Sequence, residues 1–200
     1  VAKCINEIGV GFMFAPMHHG AMKHAIGPRR EMGVRTLFNL LGPLTNPAGA
    51  PNQVLGVFSD AWLEVLAQVL GKLGSRHVLV VHAEDGMDEI SIGSATKVAE
   101  LKDGKVSCYT ISPEDFGLTR ADIAQLKVEN AEQSLEVMKR VLAGGKGPAR
   151  DIVVLNAGAA IYVAGLADTL ADGINTAQQT IDNGGAMDKL SELAKLSQAH

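Results

Sequence analysis

The segment that decides the fold is QVLGVFSDAWLEVLAQVLGKLGSRHVLVVH, residues 53–82. Its two ends, 53–58 and 77–82, are apolar and rich in β-branched residues, as in strands that are buried within a sheet. Ser59 can cap a helix over 61–73. The apolar residues of this helix recur at helical spacing: Trp62, Val65, Leu66, Val69 and Leu70. Strand, helix and strand joined by short links predict a βαβ unit with a parallel pair of strands.

The remaining chain predicts more strands and a helical layer. Two strands are predicted over 96–102 and 106–111, joined by a hairpin turn at Asp103-Gly104. Two segments resemble capping boxes, Thr119–Asp122 and Asn130–Gln133. Helices are predicted over 1–9, 20–32, 36–41, 130–143, 148–167, 169–183 and 186–199. We therefore expect residues 1–200 to form one α/β domain, an open, largely parallel sheet with helices on both faces.

Composition excludes several classes of function. Of the 200 residues, 46% are hydrophobic and 20% are charged, as in ordinary globular domains. The net charge of −4 argues against nucleic-acid binding, which requires a basic surface. Cys4 and Cys108 lie far apart without metal-ligand spacing and are predicted to be reduced thiols. Because the apolar runs are shorter than the roughly 18 residues of a membrane span, the sequence predicts a cytoplasmic protein.

An acidic segment, EDGMDE at residues 84–89, follows the second predicted strand directly. It carries four carboxylates, those of Glu84, Asp85, Asp88 and Glu89. In open α/β sheets, ligands bind beyond the carboxyl ends of the strands. Carboxylates at this spacing repel one another unless a cation or solvent intervenes, and hard oxygen ligands suit Mg²⁺. From the residues alone, a Mg²⁺ site and a solvated turn both remain open.

A stretch rich in basic and imidazole groups, residues 12–47, precedes the first predicted strand. Its cationic and imidazole residues are His18, His19, Lys23, His24, Arg29, Arg30 and Arg35. A continuous helix would place His19 and Arg29 roughly on one face, and an arginine fork can bind a planar carboxylate through two hydrogen bonds. Gly42 and Pro43 would then end the helix. A binding site for a small anionic substrate and a solvent-exposed helix face both fit this pattern.

The basic stretch and the acidic segment contain four motifs: FMFAP at 12–16, H-x-A-M at 19–22, RREMGVRTLFNLLGPLTNP at 29–47 and DGMDEIS at 85–91. In this combination and order they resemble anthranilate phosphoribosyltransferase of the tryptophan pathway, and the similarity extends over the whole chain. The resemblance implies the large α/β domain of the nucleoside phosphorylase and phosphoribosyltransferase type. It also implies transfer of phosphoribosyl from phosphoribosyl pyrophosphate to anthranilate, with Mg²⁺ as cofactor and a homodimer as the assembly.

The resemblance assigns the metal to two of the four carboxylates. Asp88 and Glu89 coincide with the family's metal-binding pair, whereas Glu84 and Asp85 do not. Mg²⁺ bound there would stabilise the negative charge that develops on the departing pyrophosphate. The arylamine of anthranilate is uncharged near neutral pH, so a strong general base is not demanded and no residue is assigned as one.

The resemblance also implies residues on the anthranilate side. Arg29 coincides with the arginine that binds the carboxylate of anthranilate. His19 lines the same side, and Gly42 with Pro43 helps to form the approach. These roles are expectations from the matched motifs only.

One expected motif of the family is absent. The glycine-rich GTGGD-type loop that cradles pyrophosphate has no counterpart in these residues, and no capping residue precedes the helix over 1–9. We therefore expect the chain to be the C-terminal part of a longer one, lacking a small N-terminal helical domain. We expect residues 1–200 alone to be inactive, because two carboxylates with Mg²⁺ cannot replace a cradle of backbone N–H donors.

Two other functions remain open at this point. A nucleoside phosphorylase of the same superfamily shares the architecture but lacks the pairing of H-x-A-M with GPLTNP. A non-catalytic relative that binds nucleic acid is a second alternative, against which the acidic balance and the intact Asp88-Glu89 pair both argue. Thermal stability in the presence of anthranilate, thymidine or single-stranded DNA would distinguish the three.

Overall fold

The structure, a computed structural model, describes residues 1–14, 41–42 and 44–198. The chain divides into two compact units, Ala50–Met187 and the combination of Val1–Gly49 with Asp188–His200. The expectation of one domain over residues 1–200 stays a prediction.

The larger unit contains a four-stranded sheet whose strands lie side by side in chain order. The strands are β1 (Asn52–Gly56), β2 (His77–Ala83), β3 (Thr96–Lys102) and β4 (Lys105–Ile111). β1 pairs with β2 in parallel, whereas β2 with β3 and β3 with β4 are antiparallel. The parallel pair that residues 53–82 predict is confirmed.

The sheet is mixed, so the prediction of a largely parallel sheet is wrong for the residues that the structure describes. The reason lies in the connections between strands. Only β1 and β2 are joined by a helical crossover, whereas residues 84–95 contain no helix and Asp103-Gly104 forms the predicted hairpin turn. A chain that returns without a crossover pairs antiparallel to the strand it has just left.

The described α-helices agree with the predicted ones to within a few residues. They are α1 (Ala2–Ile8), α2 (Leu63–Lys72), α3 (Ala131–Leu142), α4 (Pro148–Val163), α5 (Leu170–Asp182) and α6 (Gly185–Gln198). Short 3₁₀ turns occur at Asp60–Trp62, Pro113–Phe116 and Ile123–Leu126. The helix predicted over 20–32 lies outside the described residues. In the described ranges, no helix has the length and apolar character that crossing a membrane would require.

Local capping explains where several helices begin and end. Asn130 Oδ1 accepts the backbone N–H of Gln133 at 2.9 Å, which confirms the predicted start of α3. The capping box predicted at Thr119–Asp122 is wrong, because Asp122 instead caps the following 3₁₀ turn through the N–H of Ala124 at 2.8 Å. Helix α4 ends before the predicted residue 167, since the N–H of Leu166 bonds back to the carbonyl of Ile161 in a Schellman motif.

Different helices cover the two faces of the sheet. Residues 78–81 of β2 are all buried, as expected of a strand that is covered on both faces. Leu79 and Val81 join the main core with residues of α4 and α5. The alternate side chains point to the opposite face, where Gly71 of α2 lies against the side chain of Leu101.

Helices α4 and α5 pack against each other through their backbones. A β-carbon on Gly173 would overlap the carbonyl oxygen of Gly158, and a β-carbon on Gly158 would overlap Ile174. Only glycine permits this approach. The contact fixes α4, which also packs on β1 and β2, and through α4 it fixes the residues that this helix directs toward the sheet.

A polar cluster lies between the sheet and α4, at the amino end of β2. Its centre is Glu100, which accepts hydrogen bonds from Tyr162 at 2.8 Å and Tyr109 at 2.9 Å and bonds to Nε2 of His77 at 2.8 Å. The side chains of Glu100 and His77 are each 11% exposed. Lys102 donates to the Tyr162 hydroxyl at 3.2 Å. Each buried polar group at the centre therefore has a partner.

Burial raises the pKa of the Glu100 carboxyl, but the hydrogen bonds from Tyr162, His77 and Tyr109 together lower it more, so that its pKa lies below the usual value. Burial and the neighbouring Glu100 charge raise the pKa of the Tyr109 hydroxyl far above its usual range. Glu100 is therefore an ionised acceptor and Tyr109 a neutral donor at neutral pH.

We expect Glu100→Gln to lower the free energy of unfolding at neutral pH by about 1.5–3 kcal/mol, the range for hydrogen bonds to a charged acceptor. Because the pKa of Glu100 is depressed in the folded state, its contribution is complete above the unfolded value near 4.5 and is lost as pH falls through the folded value. Urea denaturation should therefore show a difference between variant and wild type that shrinks in acid.

Glu136→Gln is the matched control, since Glu136 is an exposed residue of α3. It should leave the stability nearly unchanged at both pH values. A loss in Glu100→Gln that is the same at neutral and acidic pH would contradict the role assigned to the carboxylate charge.

Candidate functional site

The carboxyl ends of β1 and β2 lie side by side because the two strands are parallel. Gly56 pairs with Val81, and the N–H of Val57 continues the pairing with a hydrogen bond of 2.9 Å to the Val81 carbonyl. Residues 84–89 leave the sheet at this edge. The acidic segment therefore occupies the position where open α/β sheets bind ligands.

Backbone hydrogen bonds fold the acidic segment back toward the sheet. The N–H of Gly86 bonds to the carbonyl of Ala83 at 3.0 Å, and the N–H of Ala83 bonds to the carbonyl of Met87 at 3.0 Å. Gly86 has a φ of 90°, which favours glycine. The turn brings Asp88 and Glu89 back beside the strand ends.

Asp85 uses its carboxylate to hold this turn together. Its Oδ1 accepts the N–H of Met87 at 3.1 Å, and its Oδ2 accepts the hydroxyl of Ser91. The Ser91 hydroxyl in turn accepts the N–H of Gly93 at 2.8 Å, while the N–H of Asp85 donates to Ser94 at 3.1 Å. Both oxygens of Asp85 are thus occupied within the loop.

Asp88 and Glu89 are exposed, as is Asp85. They differ from Asp85 because, within the described part of the chain, neither carboxylate accepts a hydrogen bond or forms an ion pair. Partial burial, and to a smaller extent the negative charge of Asp88, raise the pKa of Glu89 above its usual value. Two adjacent carboxylates that have no partner among the described residues are candidates for binding a ligand, and a cation would relieve their repulsion.

The pair fits Mg²⁺ better than a metal that needs a complete protein cage. Among the described residues, no group of three or more His, Cys, Asp or Glu side chains could hold a metal ion. Mg²⁺ is commonly bound through one or two carboxylates and completes its shell with water and substrate phosphates. The hard, anionic oxygens of Asp88 and Glu89 match that requirement.

Gly56, the last residue of β1, fixes the position of Asp88. A β-carbon on Gly56 would overlap the backbone carbonyl oxygen of Asp88, so the acidic segment lies directly against the end of β1. This contact was not predicted from the sequence. A glycine inside a strand pattern often marks a close approach of another backbone, and that signal was available.

Asn156 of α4 binds the residue that follows Glu89. The N–H of Ile90 donates to Asn156 Oδ1 at 3.0 Å, and Asn156 Nδ2 donates to the carbonyls of Ile90 at 2.9 Å and Ile152 at 3.0 Å. The role of Asn156 was not predicted from the sequence either. Its only signal is a single amide within the otherwise apolar run VVLNAGAA, residues 153–160.

The positions of the predicted anthranilate residues relative to the acidic pair are not described. Arg29, His19 and Pro43 lie outside the described residues. Gly42 is described but belongs to the other unit. The roles predicted for all four therefore stay predictions.

The chain around Gly42 differs from the prediction in one respect. Residues 41–42 and 44 are helical, so the prediction that Gly42 ends the helix is wrong. The carbonyl of Gly42 accepts the backbone N–H of Thr45 at 3.2 Å and its hydroxyl at 3.1 Å. These bonds continue the turn to Thr45 before the chain enters the loop of residues 46–50.

Comparison with known proteins connects this geometry to one family. Residues 1–187 match the family described as "Glycosyl transferase family, a/b domain". The chain is 66% identical over 197 residues to anthranilate phosphoribosyltransferase of Thioalkalivibrio sulfidiphilus, covering 98% of this chain and 58% of that protein. It is 63% identical over 194 residues to the enzyme of Chromohalobacter salexigens, covering 97% and 56%. The chain thus spans little more than half the length of these relatives.

Solved structures give the same result for the fold. Anthranilate phosphoribosyltransferase from Thermus thermophilus superposes with a TM-score of 0.92 at 43% identity, covering 100% of this chain and 59% of that one. The enzyme from Saccharomyces cerevisiae in complex with PRPP and Mg superposes with a TM-score of 0.86 at 26% identity, covering 96% and 56%. The sequence match and the superposition agree, and the chain belongs to the a/b domain of this glycosyl transferase family.

Proposed function

We propose that this protein transfers the phosphoribosyl group of phosphoribosyl pyrophosphate to anthranilate, forming N-(5-phosphoribosyl)anthranilate and pyrophosphate in tryptophan biosynthesis. The observation that carries the proposal is the exposed Asp88-Glu89 pair, which has no partner among the described residues and lies at the carboxyl edge of the sheet. High identity to anthranilate phosphoribosyltransferases supports the choice of substrates. As the motifs imply, we expect the protein to act as a homodimer.

Asp88 and Glu89 would hold Mg²⁺ and through it the pyrophosphate group. When bound, the ion supplies positive charge that stabilises the pyrophosphate as a leaving group. The two carboxylates would provide the negative charge that attracts the ion and the oxygen atoms that orient it. Asp85 would stabilise the turn through its hydrogen bonds to Met87 and Ser91. A related enzyme solved with PRPP and Mg supports the pairing of this ligand with this ion.

The reaction needs little from the protein as an acid or base. The bond between C1 of the ribose and the pyrophosphate oxygen breaks, and a bond forms between C1 and the amine nitrogen of anthranilate. The amine then releases one proton to water. Because the arylamine is already uncharged, positioning and electrostatic stabilisation suffice, and we assign no general base.

Arg29 would bind the carboxylate of anthranilate, with His19, Gly42 and Pro43 along its approach. The support for this is the set of matched motifs, together with a related enzyme solved in complex with 4-fluoroanthranilate. A guanidinium can donate two parallel hydrogen bonds to a carboxylate, which would orient the amine toward the sugar.

The first test removes the acidic pair in the complete protein. We expect the double variant Asp88→Ala with Glu89→Ala to lose turnover by on the order of 100-fold or more at ordinary Mg²⁺ concentrations, because charge developing in the transition state would lose its counterion. Formation of phosphoribosyl anthranilate is followed while Mg²⁺ is varied.

Glu84→Ala is the matched control, because Glu84 is an exposed carboxylate of the same loop. It should retain near wild-type turnover and Mg²⁺ dependence. If the double variant behaves like this control, the metal assignment is wrong. If the wild-type protein instead cleaves thymidine with phosphate, or is stabilised only by single-stranded DNA, the proposed reaction is wrong.

The second test concerns the acceptor. We expect Arg29→Ala to weaken anthranilate binding by about 1.5–3 kcal/mol, the value of a charged hydrogen-bonded pair, which corresponds to a KM for anthranilate raised by roughly 10- to 100-fold. The KM for phosphoribosyl pyrophosphate should change little. Steady-state kinetics with each substrate varied in turn measures both.

Arg30→Ala is the neighbouring control, and Arg29→Lys separates charge from the bidentate geometry of the guanidinium. Arg30→Ala should leave both KM values near those of the wild type, whereas Arg29→Lys should recover only part of the lost affinity. An equal effect of Arg29→Ala on both substrates would rule out a specific contact with anthranilate.

A further inference from the structure

Ile90 follows the acidic pair, and its backbone is bound by one side chain of the helical layer. Asn156, 66 residues away, accepts the N–H of Ile90 and donates to its carbonyl, with distances of 3.0 and 2.9 Å. A neighbouring β-strand would make the same pair of bonds. The remaining N–H of the amide donates to Ile152 at 3.0 Å, so both hydrogens and the oxygen of the Asn156 amide are used.

The bond to the N–H of Ile90 has a direct consequence for Glu89. That N–H belongs to the same planar peptide group as the carbonyl of Glu89. Fixing its direction therefore restricts rotation of the backbone of Glu89. The buried side chain of Ile90, 2% exposed, limits translation of the residue but does not define the direction of the peptide plane.

The rest of the acidic segment is fixed from other directions. The carbonyl of Asp88 packs closely against Gly56. Beyond Ile90, the Asp85 carboxylate accepts a hydrogen bond from the hydroxyl of Ser91. Asn156 contacts the backbone of Ile90, which lies between Asp88 and Ser91 in the chain and directly follows Glu89. An amide is disfavoured within an apolar helix interior, so its presence at this place in α4 indicates a specific role.

We propose that Asn156 is a positioning residue for the metal-binding pair. By fixing the peptide between Glu89 and Ile90, it keeps the Glu89 carboxylate beside that of Asp88 so that both face one divalent cation. Asn156 bonds to the backbone of Ile90 and acts on the pair through it. The inference rests on the proposed function, because it takes Asp88 and Glu89 as the metal ligands.

The test measures metal binding directly in the complete protein. Mn²⁺ is titrated into the protein without added pyrophosphate, which would itself bind the ion, and the free ion is followed by its electron paramagnetic resonance signal. We expect Asn156→Leu, which removes all three hydrogen bonds but keeps the branching and the number of side-chain heavy atoms, to weaken Mn²⁺ binding by roughly 10- to 100-fold, as is usual when support behind a metal ligand is lost. The KM for anthranilate should stay near the wild-type value.

Glu100→Gln is the control for a general loss of stability. It disturbs the polar cluster on the same face of the sheet, but at the opposite end of β2. It should leave Mn²⁺ binding unchanged. If Asn156→Leu does not fold, Asn156→Ser, which is smaller and too short to make the paired bonds to Ile90, is measured in its place with the same expected loss.

The outcomes separate the two proposals. If the Asp88→Ala and Glu89→Ala double variant loses Mn²⁺ binding but the folded Asn156 variant binds it like the wild type, the positioning role is overturned and the metal pair stands. If the double variant itself binds Mn²⁺ normally, the metal assignment falls and the positioning role falls with it. If Glu100→Gln weakens binding as much as the Asn156 variant, the effect is one of stability and the positioning role is also overturned.

Discussion

The parallel pairing of β1 with β2 is the constraint on which the rest of the structure depends. It places two strand ends at one edge of the sheet, with Gly56 beside Val81, and so creates the position that the acidic segment occupies. The absence of a side chain on Gly56 then allows the carbonyl of Asp88 to lie against the end of β1. Without the parallel pair, the carboxylates of Asp88 and Glu89 would follow a strand end with no neighbour to define their place.

Carboxylates near the two ends of β2 differ in whether they have hydrogen-bond partners. At the amino end, Glu100 is buried and accepts hydrogen bonds from Tyr109 and Tyr162, so its charge is already matched within the protein. At the carboxyl end, Asp88 and Glu89 are exposed and have no partners among the residues that the structure describes. A satisfied buried carboxylate contributes to stability, whereas an unsatisfied exposed pair is available for a ligand. This contrast distinguishes a structural cluster from a candidate site by contacts alone.

Local sequence signals were sufficient to predict the helices, the strands and the acidic segment. They were insufficient to predict the contacts between segments that are distant in the chain. The apolar pattern of residues 53–82 predicted the βαβ unit, and DGMDEIS marked the acidic loop. The hairpin of β3 with β4 was predicted, but the antiparallel pairing of β2 with β3 was not, because pairing direction depends on whether the connection crosses over. Asn156 was missed because its partner, Ile90, is 66 residues away, and nothing in either segment alone indicates the other. Arg29 and His19 were reached through the resemblance, and their geometry lies outside the described residues.

The dependence of the acidic pair on Asn156 links the precision of the site to the packing of the helical layer. The Asn156 amide reaches Ile90 only if α4 has the correct position along its own axis, and the correct rotation about it, where it packs on β1 and β2. That placement is fixed in turn by the backbone contact between Gly158 of α4 and Gly173 of α5. Each step joins segments far apart in the chain, so each requires loop closure before it gives any stabilisation. The acidic segment can therefore form its own turn early through Asp85, but the carboxylates of Asp88 and Glu89 acquire a defined direction only when the helical layer has packed.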